Sequence, residues 1–179
     1  MKRFTVFTLI ISAVVIVLFL PLISRDFIKG MSDAISLYFV KFEFNASIYY
    51  LVREVGYYQK GWNMIAVIGP RLALTTLLLI IGYSWYESKK PVNLFEAGIW
   101  VLLIYFSLAL IVHPWYVITA VVLSIFTKWK WPLVWSGLIL LSYEGYTSEG
   151  YIENYWLISL EYIILALVIF YERKQLKAI

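Results

Sequence analysis

The sequence predicts an all-α integral membrane protein of about six transmembrane helices, with amphipathic helices in its first outer loop. Three observations predict it. Apolar residues come in blocks long enough to cross a hydrocarbon layer, which takes about 20 residues of helix. Lys and Arg collect at alternate ends of those blocks, and Trp residues sit at their ends. Hydrophobic residues make up 63% of the 179 residues and charged ones 15%. A soluble domain carries roughly 25% charged residues, so the departure is toward the membrane.

The first block is residues 4–23, preceded by Lys2 and Arg3. Its core runs long for a signal peptide, and Leu22-Ile23-Ser24 lacks the small-x-small cleavage pattern, so it reads as a retained span. An outer segment from Ser24 to Trp62 follows. There Phe27, Met31, Ala34, Tyr38 and Phe42 fall at helical spacing, and Ile48, Leu51, Val52 and Val55 repeat the pattern. These amphipathic helices either lie on the outer membrane face or pack on the bundle. Residues 63–83 form the second span, interrupted by Gly69-Pro70-Arg71, and residues 94–112 the third. Residues 115–126 and 131–143 are shorter candidates, and residues 155–171 are the last. No linker or repeat divides the chain, which reads as a single membrane domain over residues 1–179.

Orientation follows from the basic residues. With the N-terminus inside, the inner segments hold Lys2, Arg3, Lys89, Lys90, Lys128, Lys130, Arg173, Lys174 and Lys177. The short outer connections around His113 and from Glu144 to Asn154 hold none. The second of them carries Glu144, Glu149 and Glu153. The long first outer segment does carry Arg and Lys, but long loops weigh less in this rule. Both termini are therefore expected in the cytoplasm, with the chain multi-pass in the inner (cytoplasmic) membrane. Trp62, Trp85, Trp115, Trp156, Trp129 and Trp131 read as headgroup-level anchors.

Composition excludes several classes. There are no cysteines and one histidine, which removes disulfides, thiolate catalysis and Cys- or His-rich metal sites. The net charge of +4 is explained by cations at helix ends and gives no case for a nucleic-acid partner. No Walker loop, dinucleotide-binding glycine pattern, Gly-x-Ser-x-Gly or paired-histidine zinc helix is present.

Polar groups inside apolar spans are costly and are site candidates by default. Arg71 follows Pro70 inside the second span. It either snorkels to the outer headgroups or binds an anion. Glu161 lies in the last span and either pairs with Arg71 or joins a site. His113 precedes Pro114 at the outer end of the third span. The following span is short, so His113 and Glu144 either line a recess below the outer surface or sit at the surface. Glu96 reads as a solvated helix-end residue.

Two stretches go further. Lys41-Phe42-Glu43-Phe44-Asn45-Ala46-Ser47-Ile48-Tyr49-Tyr50, running on to Arg53-Glu54-Val55-Gly56-Tyr57, resembles a segment of bacterial polyprenol-phosphate-dependent mannosyltransferases, which are multi-spanning type C glycosyltransferases. His113-Pro114-Trp115-Tyr116 and the tail Glu153-Asn154-Tyr155-Trp156-Leu157-Ile158, with Glu161-Tyr162, are similar too. The resemblance implies transfer of mannose from a polyprenyl-phosphate donor to a glycan or glycolipid on the outer face. It implies no cofactor and no metal; membrane lipids and the lipid-linked donor are the partners. His113, if protonated, and Arg71 would bind the lipid phosphate. Glu43, Asn45, Tyr49, Arg53, Trp115, Tyr116 and Glu161 would shape the pocket. The family's catalytic base lies in a first outer loop that has no counterpart here, so no catalytic residue is assigned. Asp26 and Asp33 are not given that role. The chain is expected to be a C-terminal half whose N-terminal half is a further partner. Two other classes compete: a solute-binding subunit of an importer and a non-catalytic membrane scaffold.

Overall fold

The computed structural model describes residues 2–37, 41–89, 91, 93–148 and 150–177. Tyr38, Lys90 and Glu149 lie outside them. Among the described residues the architecture is all-α apart from one hairpin of two-residue strands. Three helical segments are long and apolar enough to cross a membrane: Arg3–Leu22, Ile65–Glu87 and Tyr155–Leu176. Leu94–Leu108 and Pro114–Ser124 are apolar but shorter.

The chain divides into two compact units, Met1–Tyr38 and Phe39–Ile179. In the first, α1 (Lys2–Phe19) runs into a 3-10 turn at Leu20–Leu22. Pro21 in that turn ends the α-helical hydrogen bonding. Ser24 then starts α2 (Arg25–Ser36), its hydroxyl accepting the Phe27 N–H at 3.1 Å. α2 is α-helical to Ser36, and Phe42, the last residue of the expected amphipathic spacing, is not helical.

In the second unit, α3 (Ile48–Lys60) ends at Gly61, whose φ of 78° is the left-handed stop that glycine adopts without a Cβ clash. Next come α4 (Ile65–Glu87), which holds Pro70 in its interior, and α5 (Leu94–Leu108), capped by the Asn93 side chain. Then follow α6 (Pro114–Ser124), α7 (Trp131–Leu138) and α8 (Tyr155–Lys177). Neighbours in sequence pack together: α3 on α4, α4 on α5, α5 on α6, α6 on α7 and α7 on α8. A 3-10 helix, Ile139–Gly145, extends α7 and leads into the hairpin of β1 (Tyr146–Thr147) and β2 (Gly150–Tyr151).

Two departures from the sequence reading matter. The expected third span, residues 94–112, is helical only to Leu108. Beyond it the backbone is extended, and Phe44 lies beside it as a one-residue parallel bridge. Phe44 N–H donates to Leu110 O and Val112 N–H donates to Phe44 O, both at 2.9 Å. Leu110, Ile111 and Val112 are buried there. Non-helical backbone among apolar residues is tolerated where protein neighbours satisfy its polar groups, and Phe44 does that. The second departure concerns length. Counting the 3-10 extension, the α7 rod is about 26 Å long, whereas α6 is about 16 Å.

Trp129 and Trp131 are not surface anchors. Both are buried, Trp131 completely, and with Trp135, Ile99, Val112 and Val117 they form one hydrophobic core. Trp62, Trp85, Trp115 and Trp156 are exposed. Glu96 is not simply solvated, because its carboxylate accepts the Trp129 indole N–H at 2.7 Å.

Candidate functional site

A second core, built on Phe44, Ala46, Tyr49 and Tyr50 from the segment entering α3, holds most of the buried polar groups. It lies where α3, the extended stretch after α5 and the start of α8 meet. Asn45 is its centre. Its φ of 47° is left-handed, a conformation that Asn tolerates better than most side chains. That shape aims three groups of one residue at the last helix and its approach. The Asn45 N–H donates to Glu153 Oε1 at 3.1 Å, its Nδ2 donates to Glu161 Oε1 at 3.3 Å, and its carbonyl accepts from the Tyr162 hydroxyl at 2.8 Å.

Glu161 is fully buried. It also accepts the Trp135 indole N–H at 2.7 Å. Pairing with Arg71 is therefore not what holds it; two neutral donors do. Glu153 accepts the Tyr50 hydroxyl on the same oxygen that takes the Asn45 N–H. Burial pushes the Glu153 carboxyl up, and those two hydrogen bonds pull it partly back. Burial and the neighbouring Glu153 hold the Tyr50 hydroxyl well above its ordinary range, so Tyr50 stays a donor.

Arg53 forms the outer edge of the network. Its guanidinium meets Glu43 at 2.5 Å and Glu54 at 3.0 Å, donates to the Tyr155 hydroxyl at 2.9 Å, and lies 4.6 Å from the Tyr50 ring centre. Asn63 extends this group, accepting from the Tyr49 hydroxyl at 3.1 Å and donating to Glu43 at 3.4 Å. Two carboxylates, Glu43 and Glu54, thus meet one guanidinium, while Glu153 and Glu161 accept from Asn45. The unpaired buried atoms of these residues are three that accept when the carboxyls are ionised, Asn45 Oδ1, Glu153 Oε2 and Glu161 Oε2, and one donor, Arg53 Nε. The network is short of donors, which favours a hydroxyl-bearing or protonated group inside it over a further anion.

His113 stands beside this network, linked to it through Phe44. Its ring stacks on Trp115 (4.2 Å between centroids, 11° between planes) and packs on Phe44 at 4.6 Å and Tyr116 at 5.4 Å. It is buried, with Nδ1 unpartnered, while Glu144 is exposed and accepts from Asn154 at 3.1 Å. The two do not line one open recess. Burial lowers the imidazole below its ordinary 6.5, so His113 is neutral at pH 7 and not a ready cation.

Of the residues singled out by sequence, Glu43, Tyr49 and Arg53 belong to one hydrogen-bonded group and Asn45 and Glu161 to a second, joined by the Arg53 guanidinium over the Tyr50 ring, and His113, Trp115 and Tyr116 form one aromatic stack against Phe44. Arg71 stands apart. It is exposed on α4, although the next residue, Leu72, is part of the core. Sequence reasoning missed Tyr50, Glu54, Asn63, Trp135, Glu153, Tyr155 and Tyr162 as members. Tyr50, Tyr155 and Tyr162 sit inside the stretches that drew attention; Trp135 gave no signal, being one Trp among eight. Among the described residues no group of three or more His, Cys, Asp or Glu side chains is placed to hold a metal ion. No protein-family model, curated protein or solved structure matches this chain.

Proposed function

We propose that this chain is part of a membrane glycosyltransferase that moves mannose from a polyprenyl-phosphate donor to a glycan or glycolipid outside the inner membrane. On this reading six spans cross the bilayer, both termini are cytoplasmic, and a further N-terminal portion supplies the catalytic base. The observation that carries it is convergence. The three stretches that resemble the mannosyltransferases lie far apart in sequence. Residues 43–54, 113–116 and 153–162 nevertheless meet in one buried cluster. A sugar offers hydroxyl donors to the acceptors that dominate there. Arg71, charged and without a carboxylate partner among the described residues, is the available cation for the lipid phosphate.

The test is retention of donor by the purified chain in nanodiscs. Polyprenyl-phosphate mannose should be held about tenfold more tightly than the neutral polyprenol, and Arg71→Leu should remove most of that difference. Equal retention of the two lipids would sink the proposal. The importer reading draws on a different observation, the excess of Glu43, Glu54, Glu153 and Glu161 over Arg53. A small cationic solute copurifying with the chain would favour it.

A further inference from the structure

We propose that the groove at the C-terminal ends of α4 and α8 binds the headgroup of an ammonium-bearing zwitterionic phospholipid of the phosphatidylethanolamine class. This inference is independent of the transferase reading. The groove lies at the ends of α4 and α8, with the connection into α5 and the start of α5 forming its other walls. It encloses about 580 Å³, within the range of about 300–1,000 Å³ that small-ligand sites occupy. Tyr83, Glu87, Glu96, Trp100, Trp129 and Arg173 face it.

Those six side chains supply three kinds of contact. Glu96 is held in place from two sides. Trp129 donates its indole N–H to Oε1 at 2.7 Å, and the Asn93 side chain accepts the Glu96 backbone N–H at 3.4 Å. Glu87 and Glu96 both line the groove beside Tyr83. Trp100 and Trp129 meet edge to face, 4.9 Å between centroids and 85° between planes, and form an aromatic corner. Carboxylates beside aromatic faces are the surroundings an alkylammonium takes. Arg173 offers the opposite pole, a guanidinium for a phosphodiester. Glu87 and Glu96 among the lining residues offer carboxylates to an ammonium, which a headgroup without a cation does not use. Hydrogen-bond acceptors in the carboxylates favour a primary ammonium, which has N–H donors, over a quaternary one.

The position selects a lipid over a soluble solute. The groove sits at the ends of two helices of 23 and 22 residues that are apolar enough to cross a bilayer. The same ends carry Lys89 over the Trp85 ring at 3.7 Å and Lys174 over the Phe170 ring at 4.4 Å. Basic and aromatic side chains together mark headgroup depth.

Native mass spectrometry of the full chain decides the matter, with phosphatidylethanolamine, phosphatidylcholine and phosphatidylglycerol of identical acyl chains added in competition. Phosphatidylethanolamine should be retained about tenfold over each of the others. In Glu87→Gln/Glu96→Gln that preference should fall to about twofold or less. Gln at position 96 still accepts the Trp129 N–H, so the fold is expected to survive. Equal retention of the three lipids by the unaltered chain, or an unchanged preference in the double variant, would overturn the assignment. If the double variant does not fold, the headgroup competition on the unaltered chain decides alone.

Discussion

Asn45 holds a backbone shape that ordinary side chains resist, and it does so while bonding three partners through three different groups. Replacing it by Ala should cost about 1–2 kcal/mol for the left-handed backbone and about 1–3 kcal/mol for the donor withdrawn from buried Glu161. Gly relieves only the first of these. Thermal unfolding in detergent should therefore rank Asn above Gly and Gly above Ala. If Gly and Ala melt together, the backbone conformation is not what Asn45 is for. Part of this was legible in the sequence. A carboxyl inside an apolar helix announces itself, and Glu161 was marked for that reason. Its partner was not legible, because reading charges leads to Arg71, while the actual partners are an amide and an indole, neutral donors that carry no charge to notice.

At the scale of elements, the short helix α7 shows how a distant residue can start a helix. The Glu172 carboxylate, from α8, accepts the Lys130 N–H at 3.0 Å and the Trp131 N–H at 3.2 Å. It satisfies two backbone donors that α7's own residues leave open and places negative charge at the positive end of the helix. Glu172→Ala should lower stability by about 1–2 kcal/mol, and Glu172→Gln by less, since the amide oxygen still accepts without the charge. Thermal melts in which all three chains are equal would show that α7 needs no such cap. Helix positions were readable from apolar blocks, and Asn93, Pro114 and Gly61 mark ends by known local chemistry. The break after Leu108 was not readable. Residues 109–112 are apolar whether helical or extended, and the choice is made by Phe44, which pairs with them from far along the chain.

For the whole molecule, the absence of cysteine makes sidedness simple to measure, because any single introduced thiol reports alone. Ser148 lies in the exposed hairpin turn and Lys128 in the exposed turn before α7. Under the six-span proposal, Ser148→Cys reacts with a membrane-impermeant maleimide on intact cells, and Lys128→Cys reacts only after permeabilisation. Labelling of both from one side would remove α7 as a crossing and with it the six-span topology.

The Asn45–Glu161 bond also has a biosynthetic meaning. Its partners are 116 positions apart. At about 5–20 residues per second, a ribosome finishes one roughly ten seconds after the other. Through that interval the Asn45 amide lacks this acceptor, Trp135 joins it for the last 26 positions, and the arrival of the last helix supplies Glu161 to both. A chain stalled before α8 therefore carries unpaired polar groups, a lasting mark of incompleteness that membrane quality control can recognise.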